Sequence, residues 1–212
     1  MTDEPSELDS LLARVREGDQ GALATLFDRY RDRLRRMVRL RLDRRLQGRL
    51  DPSDVLQEAF LDVARRAPEY AARPDMPVFL WLRFLTAQRL LALHRQHLGA
   101  QMRDAGQEVS LYRGALPMAS SVSLAAQLMG RFTSVTQAAA RAELQVRLQA
   151  VLNGMEPLDR EVLALRHFEE LTNAETAEVL GIRKSAASNR YIRALKRLKD
   201  ILSGLPDFAD LG

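Results

Sequence analysis

The chain has 212 residues, enough for one large domain or two small ones, and 46% of them are hydrophobic, which excludes global disorder. Aromatic residues make up only 6%, which disfavours sheets, and the lack of cysteine excludes disulfides, thiolate zinc sites and a cysteine nucleophile. The formal net charge of +4 is unevenly spread: residues 31–50 hold nine arginines against Asp32 and Asp43, and residues 183–199 hold seven basic residues and no acid. Such clusters suit a polyanion partner; one cluster alone is more readily a solvated face, and two separate clusters weaken that reading.

The opening stretch from Thr2 to Ser10 is polar and acidic, unlike a secretory signal. The most apolar stretches, Val78–Leu82 and Leu90–Leu93, are short and flanked by Arg83, Arg89 and Arg95. No membrane insertion is expected, since a span takes about 20 apolar residues. With no cysteine, the expected location is the cytoplasm.

A first helical domain is expected over 8–102. Ala22, Leu23, Leu26, Phe27, Tyr30, Leu34, Met37 and Val38 recur at helical spacing. Leu42, Leu46 and Leu50 extend that stripe at intervals of four. Asp51-Pro52 is a helix start, because an aspartate caps exposed amides and a proline at the first position needs no donor. Val55, Leu56, Ala59, Phe60, Val63 and Ala64 form the buried side of that helix, and Pro68, Pro74 and Pro77 bracket a loop. Another helix runs from Val78 to His97. Its Trp81 belongs to the core, whereas Phe79 and Phe84 fit either the core or a platform for unpaired bases.

Residues 103–137 are rich in glycine and serine and read as a flexible linker with a short helix near Leu124–Met129. The second domain is expected over 138–205. Leu144, Leu148, Val151, Leu152 and Met155 mark one helix, and Glu156-Pro157 starts the next. Thr172-Asn173-Ala174-Glu175 is a capping box, and Gly181 closes the short helix it opens. A last helix follows from Ser185 to Leu202, with Ile192, Leu195, Leu198 and Leu202 expected inside.

A short capped helix, a tight glycine turn and a longer basic helix form the layout of a helix-turn-helix. The basic helix would lie in a major groove, with Lys184, Ser185, Ser188, Asn189 and Arg190 at its leading end. Arginine forks onto guanine, asparagine onto adenine, and serine onto bases or phosphate. Arg193, Lys196 and Arg197 would lie nearer the DNA backbone, where contacts add affinity and little sequence information.

Two separated runs also resemble one protein family. MEPLDREVLALRHF from Met155 to Phe168, followed by Leu171 to Ile182, resembles region 4 of bacterial sigma factors of the sigma-70 family. The extracytoplasmic-function (ECF) subfamily is the nearest in pattern. Where its usual motif has Gly-Thr-Val, this chain has Ser185-Ala186-Ala187. Asp51 to Leu61 resembles the region 2 segment, and Trp81-Leu82 with Thr86 to Leu90 resembles the helix that follows it. Gln88 and Ala92 stand where asparagine and aspartate are usual.

The resemblance implies an all-α protein with an N-terminal helical bundle and a C-terminal helix-turn-helix domain. It implies binding to core RNA polymerase, through the β′ clamp helices and the β flap, and to promoter DNA; an anti-sigma factor is a candidate third partner, whose existence the sequence leaves open. Asp54, Gln57, Glu58 and Leu61 would meet polymerase, and Arg83, Gln88, Arg89, His94 and Arg95 the downstream promoter element. No catalytic constellation, phosphate loop or metal-ligand cluster is visible, so no enzyme activity, cofactor or metal is expected. A stand-alone helix-turn-helix regulator and a helical interaction protein without DNA binding remain the alternatives.

Overall fold

The computed structural model describes residues 4–73, 76–98, 118–129 and 138–202, and all regular structure among them is helical. The chain divides into two compact units, Met1–Leu116 and Pro117–Gly212.

The first unit packs α1 (Glu4–Arg16), α2 (Gln20–Arg41), α3 (Pro52–Ala72) and α4 (Val78–Leu98) against one another. Asp19 caps α2 by accepting from the Ala22 amide, and Asp51 caps α3 in a reciprocal box with Asp54. The core is made by Leu23, Leu26, Phe27, Leu34 and Met37 of α2, Val55, Leu56, Ala59 and Val63 of α3, and Leu82, Leu85 and Leu90 of α4. Phe27 meets Phe60 edge to face at 5.2 Å.

Two sequence expectations differ here. The stripe through Leu42, Leu46 and Leu50 does not extend α2, which ends at Arg41 with the Leu42 amide donating to Val38. Asp43 accepts from the Arg45 amide at 2.9 Å, so a local side-chain bond replaces the helical one. Leu42 and Leu46 are still buried, from a run of turns. Pro68 does not open a loop either, because it sits inside α3, which ends only at Ala72. Ala67, Tyr70 and Ala71 are buried around it, and their packing outweighs the lost backbone donor.

The second unit holds α5 (Ser121–Met129), α6 (Ala138–Asn153), α7 (Pro157–Leu163), α8 (Asn173–Leu180) and α9 (Lys184–Leu202). The segment read as a linker therefore contains a helix that buries Leu124, Ala125, Leu128 and Met129 against its own unit. The Ala119 amide donates to a buried Glu161 carboxylate at 2.9 Å, and Arg160 donates to Ser121 at 3.2 Å. The rest of that stretch, 103–117 and 130–137, lies outside the described residues.

α7 runs on through a π-helical turn, Ala164–Phe168. The capping box of α8 is complete: Thr172 Oγ1 accepts from the Glu175 amide at 3.2 Å, and Glu175 Oε2 accepts from the Thr172 amide at 2.7 Å. Gly181 takes the left-handed conformation (φ 60°), and the Ile182 amide reaches back to Ala177 at 2.9 Å. A third difference concerns α9: Ile192 and Leu195 are exposed, at 48% and 38%. Its inner side is Ala187, Ala194 and Leu198, small enough in its first half for α9 to lie close on α7 and α8.

Candidate nucleic-acid interface

α9 enters its position through a joint with α8, where Asn173 Nδ2 donates to the Lys184 carbonyl at 2.8 Å. Arg166 lies over the Tyr191 ring, 5.1 Å from its centre, and steadies the next turn. With Ala187, Ala194 and Leu198 inward, the helical repeat turns Ser185, Asn189, Ile192 and Lys196 outward in one line. Lys184, Arg193 and Arg197 are exposed beside it, and Ser188 is half-buried. The outward line thus combines a hydroxyl, a carboxamide, an apolar branch and an ammonium group. Each has a complement on a major-groove edge: donor or acceptor atoms, the thymine methyl and phosphate.

Two expected DNA contacts are engaged inside the protein. Arg190 Nη1 donates to Asp159 Oδ1 at 2.6 Å, and Arg193 donates through Nε to Oδ2 at 2.7 Å and through Nη2 to Oδ1 at 3.0 Å. Burial alone would raise the Asp159 pKa, but the hydrogen bonds and charges of both guanidiniums outweigh it and hold the carboxyl below its ordinary value. Arg197 lies near the end of α6, where a Cβ built on Gly154 would come within 3.2 Å of its Nη2.

In the first unit, Asp54, Gln57 and Leu61 are exposed on α3, Leu61 at 58%. Asp54 also completes the α3 capping box. Glu58 is half-buried and pairs with Arg89 Nη1 at 3.5 Å. Arg89 also donates through Nε to Asp62 at 2.8 Å, and Gln88 accepts from Arg66 at 3.2 Å. Arg95 is exposed.

Arg83 and His94 do not reach the surface expected of them, with 6% and 1% exposure. Both fall on the side of α4 that meets its neighbours. His94 Nε2 accepts from the Asp43 amide at 3.4 Å, and burial lowers its pKa below the ordinary 6.5.

Among the aromatics, Trp81 and Phe79 are buried and Phe84 is half-buried. Trp81 stacks on Tyr70 at 4.2 Å, and Arg33 sits 3.6 Å over the Phe79 ring. Arg66, Glu69, Tyr70, Arg73, Trp81 and Phe84 line a groove of about 400 Å³. Sequence reasoning missed Asp159, Arg66 and Tyr70 as part of these surfaces. Each acts through a partner on another helix, and no local spacing signals that.

No helix is long and apolar enough to cross a membrane, and no group of residues suited to hold a metal ion is present, among the described residues.

The ECF sigma factor family model matches residues 5–203. The ECF RNA polymerase sigma factor SigD of Mycobacterium tuberculosis (strain ATCC 25618 / H37Rv) is 27% identical over 209 residues, covering 99% of this chain and 90% of that protein. The ECF RNA polymerase sigma factor SigK of Mycobacterium ulcerans (strain Agy99) is 26% identical over 196 residues, covering 92% and 94%. In solved structures, CnrH in complex with the cytosolic domain of CnrY has a similar fold, with a TM-score of 0.53 and 22% identity, covering 92% of this chain and 96% of that one.

Proposed function

The chain belongs to the ECF sigma factor family, and from that premise we propose which of its surfaces do the work. As a sigma factor it binds core RNA polymerase and promoter DNA and directs transcription initiation. Sigma factors are not catalysts in general, and we read this chain as a non-enzyme that acts in the cytoplasm.

We assign upstream-element readout to α9. The observation that carries this is the outward line of Ser185, Asn189, Ile192 and Lys196, at the end of a capped helix and a left-handed glycine turn. Lys184 and the helix N-terminus would hold a phosphate, and Asn189 and Ile192 would read base edges. Lys196 and Arg197 would follow the DNA backbone.

We assign polymerase docking to the α3 face of Asp54, Gln57 and Leu61, supported by the exposure of an apolar Leu61 between polar neighbours. Glu58 would take part from its pair with Arg89. The downstream element falls to the α3–α4 groove, where Phe84 offers a half-exposed ring and Arg66 and Arg73 offer positive charge to a single strand. Gln88, Arg89 and Arg95 border that strand's path in this reading. Two linked units then share one promoter, so each contact can be weak by itself. We read the domains as 8–102 and 138–205, joined through 103–137, of which Ala119 and α5 pack with the second unit. A protein partner comparable to the cytosolic domain of CnrY is part of the proposal, as an anti-sigma factor.

The test is transcription with purified core polymerase on a library of genomic fragments. The full chain should select a discrete promoter set, and substitution of Asn189 should change it. A chain that neither binds core polymerase nor selects any fragment would end this reading.

A further inference from the structure

α9 carries two arginines whose charge the protein already uses. Arg190 and Arg193 lie one turn apart and converge on Asp159 of α7, whose side chain is 7% exposed. The carboxylate accepts three charge-assisted hydrogen bonds, two of them from Arg193. Arg190 also lies 3.4 Å from Glu156 at the start of α7. The pairing raises the pKa of Arg193 and lowers that of Asp159, so each holds the other in its charged form. Lys184, Lys196 and Arg197 on the same helix have no acidic partner among the described residues. The basic helix therefore meets DNA with less charge than its sequence suggests.

We propose that Asp159 is an electrostatic brake on sequence-independent DNA binding: an internal carboxylate that competes with DNA phosphates for Arg190 and Arg193. This rests on the reading of α9 as the upstream-element helix. A phosphate that engages either arginine must displace or share a buried, multiply bonded carboxylate, so the net benefit is small. Attraction to arbitrary DNA scales with the number of phosphates neutralised. Holding two cations back limits that attraction and leaves selection to Ser185, Asn189 and Ile192. A chain less attracted to bulk genome is more available to polymerase. Asp159 is a positioning residue in this account, since it touches the arginines and not the DNA.

The test compares the full native chain with Asp159→Asn on a short duplex of random sequence, by fluorescence anisotropy across a salt series. D159N should bind several-fold more tightly at low salt. Its plot of log affinity against log salt should steepen by about 1 to 2, because each further phosphate that is neutralised adds about 0.9 to the slope. A purely structural Asp159 would give a weaker, less stable variant with an unchanged slope, and that result overturns the proposal. Arg193→Gln in the native chain is the second arm, useful if D159N folds poorly, because Arg193 is 60% exposed. Its slope should match the native one. A slope shallower by about 1 places Arg193 on phosphate already and also overturns the proposal. The two readings fail differently: salt-dependent binding with the wrong slope change removes the brake alone. Binding that ignores salt, or no binding by either chain, removes the α9 assignment with it.

Discussion

Arg89 of α4 and Asp62 of α3 form a two-pronged ion pair across the helix interface, with Nε 2.8 Å and Nη2 2.5 Å from the same oxygen, Oδ2. Both side chains are mostly covered, at 27% and 21% exposure, so the pair is screened less than a surface one. It sets how α4 lies on α3 beneath the proposed docking and strand-binding faces. A double-mutant cycle of Arg89→Ala and Asp62→Ala, followed by urea unfolding, should return a coupling of about 1 kcal/mol. A coupling indistinguishable from zero would make the pair incidental.

Leu61 is expected to separate docking from folding. At 58% exposure it contributes little to the core, so Leu61→Asp should change stability by no more than about 0.5 kcal/mol. Losing a buried apolar contact at the polymerase surface should still weaken core binding about tenfold, equivalent to roughly 1.4 kcal/mol. Native affinity in a titration of labelled chain with core polymerase would refute the assignment of this face.

Trp81 and Phe84 should divide in the opposite way. Trp81 is buried and stacked on Tyr70, so Trp81→Ala should cost about 3–5 kcal/mol of stability. Phe84 is half-buried and lines the groove. Phe84→Ala should leave the chain folded and bound to polymerase, yet reduce open-complex formation by the worth of one stacked base, about 1–3 kcal/mol. Permanganate reactivity of the melted strand measures it; unchanged melting would move the single strand elsewhere.

Asn189 and Ile192 should behave as readers of sequence. Asn189→Ala should lose about 1–3 kcal/mol on the preferred upstream element, with the loss confined to one base pair when each position is varied in turn. Ile192→Ala, at an exposed site, should relax discrimination at a thymine while unfolding as the native chain does. Equal losses on every sequence would demote either residue to a backbone contact.

His94 gives the fold an acid limit. Its pKa lies below 6.5 when folded because burial disfavours the charged form, so below that pH the unfolded chain binds the extra proton. The stability it supports is complete above 6.5 and falls as pH drops through that value toward the folded one. Protonation also removes the acceptor that Nε2 offers to the Asp43 amide. His94→Gln should flatten stability against pH as the pH falls below 6.5 in thermal melts. The depressed Asp159 pKa acts in the same direction, with its window below the ordinary 3.8. A native-like slope in the glutamine variant would assign that acid sensitivity to other groups.

The readable parts of this chain are those that neighbours in sequence decide. Asp51-Pro52 and the Thr172/Glu175 box mark helix starts because both partners of each cap lie within three residues. The apolar repeat of α2 appears as a core face because helical geometry alone brings Leu23, Leu26, Phe27 and Leu34 to one side. Two matching runs in the right order carried the family as well. Tertiary packing decided what local rules left degenerate. On α9, Ile192 and Leu195 compete with Ala187 and Ala194 for the inner side, and close approach to α7 and α8 favours the small alanines. Pro68 stays helical because its buried neighbours outweigh one missing hydrogen bond. Arg190, Arg193 and Arg89 look like free cations until the fold brings up Asp159 from at least 31 residues away and Asp62 from 27. Hydrophobic periodicity depends on a residue's own helix, whereas an ion pair depends on the distance between two helices, which no spacing within either one encodes.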